Sequence, residues 1–255
     1  MRVDLTGGCA MRSWFVVALL LLLQPAPGFA QDGVDFEAAR AQMVRVIQME
    51  AFVTSEITGI REIDARVLAA MSKVPRHEFV AEPLAPYAYE DTPLPVDFEQ
   101  NLTQPFIAAL MTHLLEVEPG DTVFETGTDS GYQAALLAEL GAHVYSVEVI
   151  EPLAHSAAER LKRLDYRDVA VKAGDGYFGW AEHGPYDAIL VKEAVDHLPL
   201  PLVGQLKPGA RMVVPIGPAT GAQELTVIEK DDQGKIHRRA VLPVTFSPLQ
   251  GGDRT

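Results

Sequence analysis

The sequence predicts an α/β protein: a doubly wound, mostly parallel sheet, with helices before it and an antiparallel hairpin after it. Three observations predict this class. From Thr122 onward, apolar runs of strand length alternate with segments of helical rhythm, the order that builds parallel β-α-β units. The first such run ends in an acid, Glu125, and passes through a glycine-bearing turn into a helix. Near the end, two strand-like runs flank the polar turn Asp231-Asp232-Gln233-Gly234, which reads as a hairpin.

The helices come first. Over residues 36–57, Phe36, Ala39, Met43, Val46 and Ile47 recur at helical spacing and give one apolar face. Asp64 is placed to cap a second helix over 65–72, which must end before Pro75. Residues 83–95 hold four prolines and cannot be regular helix. Thr103-Gln104-Pro105 opens a helix over 106–115, with proline in the first turn and Thr103 as a candidate N-cap. After the turn at Pro119-Gly120-Asp121 come a strand at 122–125, a turn at 127–131 and a helix at 132–140. A strand at 143–147 leads to Glu148, followed by a helix at 152–164, a strand at 168–172 and the turn Gly174-Asp175-Gly176. The continuous apolar run 186–191 is of the kind buried on both faces. A helix at 200–205 is closed by Lys207-Pro208-Gly209, a strand follows at 211–215, and the hairpin strands span 225–230 and 240–246.

With 255 residues and 48% hydrophobic content, one core and one domain are expected. The formal charge of −14 supplies no basic stripe for phosphate, so nucleic acid is excluded as a partner. The seven histidines form no H-x-x-x-H pair, and no metal site is expected. At the N-terminus, Arg12 precedes an apolar run over residues 14–23, then small residues at Gly28 and Ala30. Ten apolar residues are too few to span a bilayer but suit a secretory signal cleaved after Ala30. The alternatives are a buried N-terminal helix and a cytoplasmic protein. The lone cysteine, Cys9, precedes the apolar run and does not fit a lipid anchor, so no stable membrane anchor is expected. The expected organisation is a signal peptide over 1–30 and a single domain over 31–255. Within it, 31–115 form a helical portion and 116–250 a Rossmann-like core, in an exported, periplasmic monomer.

Chemistry concentrates at three successive strand ends. Glu125 is followed by Gly127-Thr128-Asp129-Ser130-Gly131 and a helix, a place to hold a ligand at a helix N-terminus. Glu148, about 20 residues on, can accept both hydroxyls of a ribose. Asp175, between two glycines, suits an adenine amino group. Strand ends of such a sheet share one edge, where ligands bind. A dinucleotide oxidoreductase is disfavoured, because helices precede the first strand and the glycine spacing is not G-x-G-x-x-G.

The segments Ala88-Tyr-Glu-Asp-Thr-Pro-Leu-Pro95, Gln100-Asn-Leu-Thr-Gln-Pro105, Val123-Phe-Glu-Thr-Gly-Thr-Asp-Ser-Gly-Tyr-Gln-Ala134 and Gly174-Asp-Gly-Tyr177 resemble the protein-L-isoaspartate O-methyltransferases. So do Gln205-Leu-Lys-Pro-Gly209, Val214-Pro-Ile-Gly217 and Leu242-Pro-Val-Thr-Phe246, in order, from about Ile47 to Leu249. The resemblance implies a class I S-adenosylmethionine-dependent methyltransferase fold. It implies methylation of the α-carboxyl of L-isoaspartyl residues in damaged proteins or peptides, a repair reaction. By that likeness Glu125, Gly127, Ser130 and Gly131 line the methionine part of S-adenosylmethionine. Glu148 takes the ribose, Asp175 and Gly176 the adenine side, and Thr103, where the family usually has serine, stands by the transferred methyl. The sequence departs from the pattern at Glu99, Asp129, Lys192 and Glu193, where the family carries glycine or small and hydroxyl residues. Lys192 and Glu193 read either as charge added near the mouth of the site or as a solvated surface pair, and Asp129 is a possible partner for Lys192. A non-catalytic exported relative that binds peptide or another small ligand is the alternative function.

Overall fold

The structure is a computed structural model that describes residues 34–251. The expected signal peptide lies outside the described residues. Among them, no helix is long and apolar enough to cross a membrane. Asp35 caps the first helix, α1 (Phe36–Val53), by accepting from the amides of Glu37 and Ala38. The helix expected to run unbroken to residue 57 stops at Thr54, and a separate turn, α2 (Ser55–Thr58), follows. The Thr54 hydroxyl donates to the Glu50 carbonyl, the local competition that bends helices, and Gly59 then ends α2 at φ 73°. Helix α3 (Ala65–Lys73) is capped by Asp64, which accepts from the Arg66 amide, as expected. The proline-rich stretch forms a 3-10 turn (Glu82–Tyr87) and a small ribbon of β1 (Leu94–Pro95) with β2 (Asn101–Leu102).

Helix α4 (Pro105–Leu115) starts at Pro105, but Thr103 is not its cap. The capping position is Gln104, whose side chain makes no capping bond, and Asp91 supplies the acceptor instead. The Asp91 carboxylate accepts from the Phe106 amide at 2.8 Å and from Gln104 Nε2 at 2.7 Å. Thr103 is thereby spared for another role.

The strands are β3 (Thr122–Thr126), β4 (His143–Glu148), β5 (Val169–Ala173), β6 (Tyr186–Val191), β7 (Leu206–Ile216), β8 (Gln223–Lys230) and β9 (Ile236–Val244). They form one sheet in the order β5-β4-β3-β6-β7-β8-β9. The first five are parallel neighbours, and β8 and β9 run antiparallel at the edge. Helices α5 (Tyr132–Glu139), α6 (Glu151–Arg163) and α7 (Leu200–Gly204) connect them. One expectation fails here: Lys207-Pro208-Gly209 does not separate helix from strand. Strand β7 already pairs at Leu206, then bulges, so that between Tyr186 and Ala188 of β6 it advances from Leu206 to Arg211. Gly209 at φ 80° makes the bulge possible.

Strand residues alternate between two cores with the period of two that a buried sheet requires. Val123, Ala188, Leu190 and Val213 pack with α1, α3, α4 and α5, while Phe124, Ile189, Val191, Met212 and Val214 pack with α7. The chain winds outward from β3 to β5, then returns to add β6 on the other side of β3. This reversal leaves a crevice beyond the carboxyl ends of β3, β4 and β6.

Candidate active site

The crevice collects the turn 127–131, Glu148 and the residues after β6. Gly127 at φ 63° turns the chain out of β3, and Gly131 at φ 93° starts α5. Between them Asp129 holds φ 49°, a left-handed conformation that a non-glycine residue adopts at a cost, though aspartate tolerates it better than most. Glu99 likewise stands at φ 60°. Both departures from glycine thus keep the backbone shape that glycine favours.

Glu148 is gripped through both oxygens. Oε2 accepts from the Asp129 amide and Oε1 from the Ile150 amide, each at 3.0 Å. Burial raises its pKa, partly offset by these two amides. Each oxygen keeps a lone pair for a further donor, so the carboxylate is aimed before any ligand arrives.

Under the turn lies a buried polar network. Glu125, fully buried, accepts from the Ser146 hydroxyl at 2.7 Å, and Ser146 meets the Thr128 hydroxyl at 2.6 Å. Lys192 Nζ stands 3.2 Å from Glu125 Oε1 and 3.1 Å from Asp129 Oδ2. Burial works against the lysine charge, but Asp129, Glu125 and Glu193 outweigh it, and the ammonium is held above its ordinary range. Burial also raises the Glu125 carboxyl, against the pull of Lys192. Glu193 accepts from the Thr126 hydroxyl at 2.5 Å and is pushed up to about 8 by burial and by Asp129. Lys192 and Glu193 are therefore not a solvated surface pair. Lys192 is buried, with Asp129 as a partner.

Two spaces meet here. The larger, about 780 Å³, is lined by Thr103, Gln104, Asp129, Lys192 and Glu193, and also by Val244 and Phe246. The smaller is a slot of about 20 Å³ between Gly127, Glu148, Ile150 and Gly176, roofed by Pro248, Leu249 and Gln250. Gln100, Asp129, Glu193 and Pro248 border both. The roof is tied to the chain after β6, since Ala194 N donates to Ser247 O and Leu249 N to Ala194 O, both at 2.8 Å.

Of the residues expected at the site, Gly127, Glu148 and Gly176 line the slot and Thr103 lines the larger cavity. Glu125, beneath the turn, and Ser130 and Gly131, within it, are buried. The Ser130 hydroxyl lacks a hydrogen-bond partner, and the missing side chain of Gly131 makes room for Leu161. Asp175 caps the 3-10 turn Gly176–Phe178 through the Tyr177 amide, and Gly176 rather than Asp175 borders the slot. Sequence reading missed Ser146, Arg76 and the roof. Arg76 is fully buried and ties Thr103 down by donating to its carbonyl at 2.7 Å and to that of Ala88 at 2.8 Å. Nothing in a strand serine or an arginine beside a proline signals such roles.

The residues fit an adenosyl ligand in kind: a strand-end carboxylate with spare acceptors, glycines at the approach, and an unpaired buried hydroxyl. In width the slot is narrow. Glu193 Oε1 sits 1.7 Å from where a Cβ on Gly127 would stand, so its side chain and the roof must yield to a ligand.

Residues 48–254 match the family described as protein-L-isoaspartate(D-aspartate) O-methyltransferase. The chain is 52% identical over 236 residues to protein-L-isoaspartate O-methyltransferase 2 of Syntrophobacter fumaroxidans, covering 92% of this chain and 96% of that one. It is 51% identical over 236 residues to protein-L-isoaspartate O-methyltransferase 1 of Cupriavidus necator, covering 92% and 91%. A solved protein-L-isoaspartate O-methyltransferase superposes with a TM-score of 0.72 at 28% identity, covering 83% of this chain and 66% of that one.

Proposed function

We propose that this chain, which belongs to the protein-L-isoaspartate O-methyltransferase family, uses the crevice beyond β3, β4 and β6 to methylate the α-carboxyl of L-isoaspartyl residues in damaged proteins. One observation carries the assignment of residues. A slot edged by Glu148 and Gly127 opens, at Asp129 and Glu193, onto a cavity large enough for a peptide segment and bordered by Thr103. Glu148 would hold the ribose, Gly127 the approach of the methionine part, and Gly176 the adenine side. S-adenosylmethionine supplies an electrophilic methyl group and a neutral thioether leaving group.

The nucleophile, a carboxylate, is already ionised, so no general base is required. The protein's work is alignment and exclusion of water. Thr103 can donate one hydroxyl hydrogen bond to the incoming carboxylate, while Arg76 and Asp91 fix its backbone and the start of α4. The test is transfer of labelled methyl to a peptide with one isoaspartyl residue, against the same peptide with aspartate. Ester formed only on the first is expected; equal labelling of both, or of neither, would overturn the reading. Residues 1–30 are further proposed to direct export and then to be removed, supported by the pattern from Arg12 to Ala30.

A further inference from the structure

We infer that Lys192 anchors the substrate's α-carboxylate and that Asp129 keeps its ammonium in place until that carboxylate arrives. The inference rests on the function proposed above, which makes the nucleophile a carboxylate. Among the described residues lining the 780 Å³ cavity, Lys192 is the only cation, while Asp129 and Glu193 are both acids. A carboxylate entering a half-desolvated space that already holds the Asp129 carboxylate and the Glu193 carboxyl needs a cation to meet it.

The two partners of Lys192 differ in a way that makes one exchangeable. Glu125 lies fully buried beneath the turn, and its other oxygen accepts from Ser146. Asp129 borders the cavity itself, its side chain 14% exposed, and its backbone is held in place by the bond from its amide to Glu148. A ligand approaching from the cavity therefore meets the Asp129 side of the ammonium and can replace Asp129 without stripping Lys192 of Glu125. The ammonium has three N–H donors, of which Asp129 takes one in good geometry; Glu125 Oε1 pairs with it by charge but accepts no well-formed hydrogen bond. Glu193 is satisfied by Thr126 instead. Thr103 borders the same cavity, so a carboxylate can be held between a hydroxyl and an ammonium. A carboxamide of the same shape gains nothing from the charge, and an acid is selected over its amide.

The experiment compares a peptide containing one isoaspartyl residue with its isoasparagine analogue, in which a carboxamide replaces the α-carboxylate. Binding of both, KM for the first and the Kd for S-adenosylmethionine are measured in the wild type and in Lys192→Met. Wild type is expected to prefer the acid at least tenfold. In Lys192→Met the preference should fall below threefold and KM rise at least tenfold, with cosubstrate Kd within threefold. An undiminished preference would overturn the inference, as would weakened cosubstrate binding with peptide KM unchanged. Lys192→Met leaves Glu125 and Asp129 facing one another, so Lys192→Ala combined with Asp129→Gly, which removes both charges, is the second variant and should lose the preference equally. Wild type that binds the acid peptide without methylating it would overturn the proposed reaction while the preference still decides the role of Lys192. Binding of neither peptide would overturn both.

Discussion

At the scale of single residues, the site is governed by how few cations serve how many acids. Glu148 is the cleanest case, because its orientation comes from two backbone amides and it lines the slot. Glu148→Ala should weaken S-adenosylmethionine binding by about 1.5–3 kcal/mol, the range for hydrogen bonds to a charged group; calorimetric titration measures it, and unchanged affinity would place the ribose elsewhere. Glu193 carries a pH dependence. Its folded pKa, about 8, lies above the ordinary value of 4.5, so the native state holds a proton that the unfolded chain has released. Stability from this group is full below pH 4.5 and is lost as pH rises from there through 8, with a limiting slope of about 1.4 kcal/mol per pH unit. Glu125 and Glu148, also raised, act in the same direction. In Glu193→Gln that share disappears, while Thr126 can still donate to the amide oxygen. Urea unfolding at pH 5, 6, 7 and 8 should show the variant gaining on the wild type as pH rises; parallel curves would mean that Glu193 titrates normally.

At the scale of elements, the site depends on pieces far from it in sequence. Arg76 precedes the sheet by more than forty residues, yet it donates to the carbonyls of Ala88 and Thr103 and lies 4.7 Å over the Tyr132 ring. It thus joins the 3-10 turn Arg76–Phe79, the segment before α4 and the first residue of α5. Arg76→Ala strands two carbonyls and opens a void, and should cost about 3 kcal/mol or more in urea unfolding, with a fall in kcat because Thr103 loses its tether. A loss under 1 kcal/mol would show that the tether is dispensable. The roof is the second such element. Leu249 belongs to the same buried apolar cluster as Val147 and Tyr177 while its amide bonds to Ala194, so the roof is tied to the core beside β4 and to the chain after β6. Both elements were invisible in the sequence for one reason: neither an arginine nor a leucine announces a partner tens of residues away. What was visible was local. Asp64 before an apolar rhythm gave a cap, and Tyr186–Val191 read as a strand with its bounds unchanged in the structure. Where local rules failed, at Thr54 and Gly209, a side-chain bond or a bulge had overridden the periodicity.

At the scale of the whole molecule, strand order follows from rules that need no side-chain detail. Alternation of strand and helix forces parallel pairing, right-handed crossovers wind it outward, and the return to β6 creates the crevice at β3. Hence Glu125, Glu148 and Asp175 could be put at strand ends from sequence, whereas the burial of Lys192, just after β6, against Glu125 of β3 could not. The same scale holds the question of compartment. The apolar run over 14–23 is too short to cross a bilayer, and Gly28 and Ala30 supply the small residues a signal peptidase requires. Cleavage after Ala30 would leave Gln31 four residues ahead of Asp35, the residue that caps α1 and begins the compact unit Asp35–Thr255. Nothing that α1 needs for its first turn would be lost. The mature chain would carry no cysteine, because Cys9 leaves with the leader, and an oxidising compartment would find no thiol to modify. N-terminal sequencing of the protein from its native host should therefore begin at Gln31, and cell fractionation should place it outside the cytoplasm. A chain beginning at Met1 or Met11 in the cytoplasmic fraction would overturn export, and it would leave the assignments of Glu148, Thr103 and Lys192 untouched, since each rests on residues within 34–251.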